Sequence, residues 1–462
     1  MLKPVNLKNG MSVLRFPKAC NTFIIGFVVR TGSVVEDGNF PQGISNLIEK
    51  LFWRGTYKHP SSKHLNNTLE SLGGQYTSFT TQESTHFYIE VPTINQYKAI
   101  SFLSEIIQRS YFDPRDIETE KKAIIEQLKT FNQSMEYEIT QASMSNLYEQ
   151  SSLGLPVEGY IDTINTISQT EVMEYLAHQY CPELCSIVMA GNFETKKTLD
   201  LLEQEWSVWN PKARKPIVAE TFDSTDAGEF PRINYRQRGI AQTFVSIDFL
   251  LDEGYNPYSK KNLKLEQIDL EPNSIIKSEK DQKNEIEDRV QSFANLMVLN
   301  AILGQGYSSR LYLKGIEEEM LFNSIESRLN YFTNTSYFQI VGYTDNLQFS
   351  FGLECVLSSL DSLRKTTVSI NELAKAKNYL KGKLIRDHEN LLLNTIWSVD
   401  NYLGSGFVYD VDKIVEKIDK VESPIIRSLA LDLFIPERMS ITTLGTAKEN
   451  RLVDKLIKKY LS

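Results

Sequence analysis

Apolar residues along this chain follow two rhythms, and each predicts a different element. Phe23-Ile24-Ile25-Gly26-Phe27-Val28-Val29 is a nearly unbroken apolar run, rich in Ile, Val and Phe and ended by Arg30. Its length and composition predict a buried central β-strand. Between Tyr76 and Val91 the residues alternate instead, after a Gly73-Gly74 turn, and predict two further strands. Ile100, Leu103, Ile106 and Ile107 recur at helical spacing within Tyr97 to Ser110, a stripe that faces a core. Helices are also predicted from Ser45 to Phe52 and from Asp116 to Phe131, and another strand from Ser186 to Ala190.

Trp206 to Pro216 interrupts this pattern with Asn210-Pro211 and Lys215-Pro216, the chemistry of a linker. Strand and helix signals then resume. A strand is predicted at Phe244 to Leu250, helices at Val290 to Leu303 and Tyr312 to Glu319, a hairpin at Ile325 to Tyr343 and a long helix at Asn371 to Arg386. The chain is accordingly divided into residues 1–210 and 211–462. The similar order in both parts suggests a duplicated α+β unit, each with helices packed on one face of a mainly antiparallel sheet. Residues 252–289 fit neither rhythm. They are dense in Lys, Glu and Asp, with little apolar area to fold on, which predicts a solvated insertion. The other reading is a partner-docking arm anchored by Leu263, Leu265, Ile268, Leu270, Ile275 and Ile276.

At 462 residues the chain is long enough for two cores, and its 41% hydrophobic, 24% charged composition is that of a globular protein. No apolar run reaches the roughly 18 residues of a membrane helix. A net charge of -9, with no compensating basic stripe, argues against nucleic acid and is compatible with basic peptides. Met1-Leu2-Lys3-Pro4 carries neither a secretory apolar segment nor an Arg- and Ser-rich presequence, so a cytoplasmic location without membrane attachment is expected. Cys20, Cys181, Cys185 and Cys355 are too few to staple a chain this size, and the Cys181/Cys185 pair is read as two reduced small hydrophobes. Among His59, His64, His86, His178 and His388 no pair has the spacing of a helical metal site.

The candidate chemistry lies in Gly43-Ile44-Ser45-Asn46-Leu47-Ile48-Glu49-Lys50-Leu51-Phe52. It resembles the helix that carries the inverted zinc motif H-x-x-E-H, in which two histidines four apart hold the metal and a Glu beside them acts as base. Asn46 and Lys50 stand at the histidine positions, and Glu49 remains. An amide binds zinc poorly and an ammonium has no lone pair to offer. Around this helix stand Leu7-Lys8-Asn9-Gly10-Met11-Ser12-Val13, Gly32-Ser33-Val34-Val35-Glu36, Gly73-Gly74 with Thr80 and Glu83-Ser84-Thr85, and Tyr180-Cys181-Pro182 leading to Met189-Ala190-Gly191. Later come Leu303-Gly304-Gln305-Gly306-Tyr307-Ser308-Ser309-Arg310-Leu311 and Ala374-Lys375-Ala376-Lys377 with Gly382. In this order, over nearly the whole length, these segments resemble the pitrilysin, insulinase and mitochondrial-processing-peptidase family.

The resemblance implies two similar domains that close as a clamshell around a peptide chamber. It places the third zinc ligand at Gln127, with Glu120 matching the first Glu of that helix and Glu126 one residue out of register. It places the Arg and Tyr that hold the substrate carbonyl at Ile316 and Asn323, and an Ile side chain donates no hydrogen bond. The peptide-facing edge falls on Thr77, Ser78, Phe79 and Thr80. The expectation is a noncatalytic homologue with a vestigial Glu49 and no zinc. It would pair with an active paralogue or with itself and bind peptide in the chamber. The alternatives are an active zinc endopeptidase with unusual ligands, or a structural scaffold subunit of a larger complex.

Overall fold

The computed structural model describes residues 4–149, 151–207, 209, 214–218, 222, 228–252, 255–258, 279–446 and 450–461. Most of the charged insertion, including its six apolar anchors, and the Asn210-Pro211 pair of the linker lie outside the described residues. The chain forms two compact units. The first comprises Met1–Gln133, Ser151–Glu220 and Asn390–Val399; the second comprises Ser134–Gln150, Thr221–Glu389 and Asp400–Ser462. The units interleave, each taking one segment from beyond the sequence division at residue 210.

The first unit holds a six-stranded sheet of β1 (Val5–Asn6), β2 (Ser12–Pro17), β3 (Thr22–Val29), β4 (Gln75–Thr80), β5 (Thr85–Pro92) and β6 (Cys185–Gly191), in the order β1-β2-β6-β3-β5-β4. The second holds β7 (Arg232–Gln237), β8 (Gln242–Leu251), β9 (Ser324–Tyr331), β10 (Ser336–Asp345) and β11 (Met439–Gly445), in the order β7-β11-β8-β10-β9. Leaving β1 aside, the two orders are the same. In both the outer pair (β2 with β6, β7 with β11) is parallel and every later pairing antiparallel. The duplication is therefore carried by topology, although the two halves show no evident identity in sequence.

β3 is buried along nearly its whole length, as an apolar run without alternation requires. Phe23, Ile25, Phe27 and Val29 join a core with residues of the helices α1 (Ile44–Leu51), α2 (Ser62–Ser71), α3 (Gln96–Arg109) and α4 (Pro114–Phe131). In the second unit α5 (Met135–Leu147) lies against β8 and β11 and buries Ile139, Ala142, Ser143, Met144 and Leu147. Ser143 Oγ donates to Asp248 at 2.6 Å, and Asn146 Nδ2 donates to Ser440 Oγ at 2.7 Å and Thr442 Oγ1 at 3.1 Å. Ser143 and Asn146 stand among the apolar contacts of this helix and dilute the stripe by which hydrophobic periodicity would find it.

Two predicted elements take a different form. The helix expected from Val290 begins at Glu279, within the charged stretch, and runs to Gly304. The helix expected over Tyr312 to Glu319 is a short turn, Arg310–Tyr312, that widens into a π-helical segment, Leu313–Glu318. That segment closes where the Leu321 and Phe322 N–H groups both donate to the Gly315 carbonyl, at 2.8 and 3.0 Å. All four cysteines are free thiols, and among the described residues no helix is long and apolar enough to cross a membrane.

Candidate functional site

Helix α1 is fixed at both ends. Gly43 precedes it at φ 92°, a left-handed conformation that favours glycine, and a Cβ there would lie 2.5 Å from the Glu158 carbonyl oxygen. The Glu36 carboxylate accepts from the Gly43 N–H at 2.7 Å and the Ser45 N–H at 2.9 Å, partners that the start of a helix lacks within itself. Burial pushes the Glu36 carboxyl up to about 8, against the opposite pull of these donors. Ser45 Oγ is 2.7 Å from Tyr175 Oη, which ties the same turn to a neighbouring helix. Just past the far end of α1, Arg54 forms an ion pair with Glu120 of α4. The Gly-Ser-x-x-Glu segment and Glu120 of α4 thus hold the motif helix in place. A lone acidic residue upstream of a helix start is the sequence signal for the former.

Glu49 is 4% exposed and is held by the sheet. Ser78 Oγ donates to its Oε1 at 2.5 Å and Thr80 Oγ1 to its Oε2 at 3.3 Å. Ser78 and Thr80 therefore share the face of β4 that meets α1, and on the same face Tyr76 stacks on Trp53 with ring centroids 3.8 Å apart. Thr77 and Phe79 occupy the opposite face, where Phe79 stacks on His86 at 4.5 Å. His86 is fully buried, with Nε2 2.7 Å from Ser84 Oγ and Nδ1 2.9 Å from Tyr88 Oη. Both ring nitrogens are committed, and burial lowers its pKa to about 3, so it is a neutral core histidine. Among the described strands β4 pairs only with β5, so it forms one edge of its sheet. The backbone groups on its outer side are able to take another strand.

Asn46 and Lys50 lie four apart on α1, on one face. Asn46 is 7% exposed and Lys50 half-buried, and among the described residues neither side chain has a hydrogen-bond or ion-pair partner. Gln127 is exposed on α4, while Glu126 is turned to Lys129, 2.7 Å away. Two amides and an ammonium do not suit a zinc ion. Among the described residues no group of three or more His, Cys, Asp or Glu converges as a metal site either.

In the second unit Ile316 is half-buried within the π-helical segment and Asn323 is exposed, directly before the edge strand β9. Between them Met320 adopts φ 48°, a left-handed conformation that residues other than glycine rarely take.

Residues 19–160 match the family described as Insulinase (Peptidase family M16), and residues 166–380 match Peptidase M16 inactive domain. The zinc protease YmxG of Bacillus subtilis is 23% identical over 436 residues, covering 94% of this chain and 96% of its own. The mitochondrial-processing peptidase subunit beta of Dictyostelium discoideum is 26% identical over 207 residues, 44% of each chain. Among solved structures, a protease from Helicobacter pylori superposes with a TM-score of 0.80 at 15% identity, covering 96% of this chain and 99% of its own. With both halves matched and the strand order duplicated, this chain belongs to the insulinase family of peptidases, peptidase family M16.

Proposed function

We propose that this chain is a noncatalytic member of its family that binds extended peptide along the outer edge of β4 and pairs with an active paralogue or a second copy of itself. The donor set on α1 and α4 carries this reading. Asn46, Lys50 and Gln127 offer an amide, an ammonium and an amide where the family holds zinc. Glu49, the residue that would act as base, instead receives two hydroxyl hydrogen bonds from β4. Zinc is expected to be absent. The edge position of Thr77 to Thr80 supports strand addition, in which backbone hydrogen bonds supply affinity and alternate side chains supply selectivity. A cytoplasmic location without membrane attachment completes the proposal.

The relative named as a subunit of a processing peptidase favours a paired chain. The relatives named as zinc proteases favour the rival reading, an active endopeptidase with unusual ligands. A tagged pull-down at low salt, analysed by mass spectrometry, tests the pairing. A stoichiometric partner of similar size with an intact H-x-x-E-H supports a heterodimer. Recovery of the bait alone, monomeric in solution, contradicts pairing.

A further inference from the structure

The metal-binding face of α1 has lost its ligands without becoming apolar. Asn46 is 7% exposed, its amide has no partner among the described residues, and the amide atoms lie at the opening that this exposure leaves. An amide at such an opening is free to hydrogen-bond a ligand that reaches it. One turn on, the Lys50 ammonium has no carboxylate within ion-pair distance among the described residues. Its sequence neighbour Glu49 has one oxygen accepting from Ser78 and the other from Thr80. Arg54, just past the end of α1, is by contrast matched with Glu120 of α4. Lys50 is thus an uncompensated cation on a face that also presents an unpaired amide.

We infer that Lys50 replaces the charge of the metal, and that the Asn46/Lys50 face receives a carboxylate carried by a peptide lying along β4. The inference rests on the strand-addition reading above and names the chemistry of its ligand. A strand added to β4 lies about 4.8 Å beyond it. The peptide residue beside Ser78 projects its side chain to the same sheet face as Ser78, which is the face α1 covers. A carboxylate offers about four acceptor positions; the Lys50 ammonium supplies only donors, and the Asn46 amide can present its NH2. Glu49 is turned to β4 by Ser78 and Thr80 and forms no ion pair with Lys50. The carboxylate can belong to an Asp or Glu side chain or to a peptide C-terminus, since both present the same acceptor.

The test uses the purified full-length chain, immobilised and exposed to a random nonapeptide library made once with free and once with amidated C-termini. Retained peptides are identified by mass spectrometry. One expected result is enrichment of Asp and Glu over Asn and Gln at one position, by roughly five- to tenfold as for a partly shielded ion pair. If the terminal carboxylate is the source, free-acid peptides are enriched over amidated ones to the same degree. Lys50→Met, which keeps the length of the side-chain stem, abolishes the preference, and Lys50→Glu turns it toward Lys and Arg. Equal retention of acidic and amide residues and of free and amidated ends overturns the inference alone. So does a preference that survives Lys50→Met. Failure of the wild-type chain to retain any peptide overturns the strand-addition reading, and the inference with it.

Discussion

Replacing Glu36 by Gln tests how the motif helix is held. The Glu36 carboxyl is fully buried, accepts from two backbone N–H groups at 2.7 and 2.9 Å, and titrates near 8 where an ordinary carboxyl titrates near 4.5. A carboxyl whose folded pKa is raised favours the folded state below its unfolded pKa, and that contribution is lost as pH rises toward the folded value. For this shift the loss between pH 5 and pH 8 is roughly 3 kcal/mol. Glu36→Gln removes the titration, and it leaves one backbone donor facing an amide N–H, at a cost of about 1–3 kcal/mol. The wild-type chain should therefore be clearly the more stable at pH 5, and its advantage should shrink, or reverse, by pH 8. Trp53, Trp206, Trp209 and Trp397 all belong to the first unit, so urea unfolding followed by tryptophan fluorescence reports on that unit. A stability difference that stays constant from pH 5 to pH 8 would refute a protonated, desolvated Glu36.

Further perturbations address the site and the interleaved units. The triple change Asn46→His, Lys50→His and Gln127→Glu should restore zinc binding, measured by competition with a chromogenic chelator, without peptide cleavage, since Ile316 still offers no donor to a substrate carbonyl. A folded triple variant that binds no zinc would show that these positions do not converge. Glu49→Ala should lower the stability of the first unit by about 2–3 kcal/mol and Glu49→Gln by about 1 kcal/mol, because Gln keeps one acceptor for the β4 hydroxyls. Equal effects of the two would contradict the hydrogen-bond account. Asn146→Ala removes the bonds to Ser440 and Thr442 and should cost the second unit about 1–3 kcal/mol, with faster amide hydrogen exchange across α5. Unchanged exchange would mean that α5 is held by Ile139 against Phe244 and Leu444 instead.

Strands and apolar-faced helices were legible in the sequence because burial imposes a period on the residues. β3, the β4–β5 hairpin, β6, β8, β9, β10 and α1, α3 and α4 all lie close to where periodicity places them. α5 was not legible, because Ser143 and Asn146 interrupt the apolar contacts of Ile139, Ala142 and Leu147 on its buried side. Nor was the reciprocal placement of Ser134–Gln150 and Asn390–Val399, which depends on contacts between residues far apart in sequence. The π-helical widening over Leu313–Glu318 has the same helical spacing as an ordinary helix and differs only in how its carbonyls are used. At the site, motif positions showed which donors stand on α1. They did not show that Glu49 is tied to Ser78 and Thr80, or that Glu36 caps the helix, since both pairings are made only when the chain folds.

Zinc content tests the central claim most directly. The full-length chain would be purified without chelators, dialysed against micromolar zinc and then against metal-free buffer, and measured by inductively coupled plasma mass spectrometry alongside the triple variant. The account predicts no stoichiometric zinc in the wild-type chain and one ion per chain in the variant. One tightly held zinc in the wild-type chain, lost on Glu49→Gln, would contradict the noncatalytic reading and make this chain a metallopeptidase with ligands other than Asn46, Lys50 and Gln127.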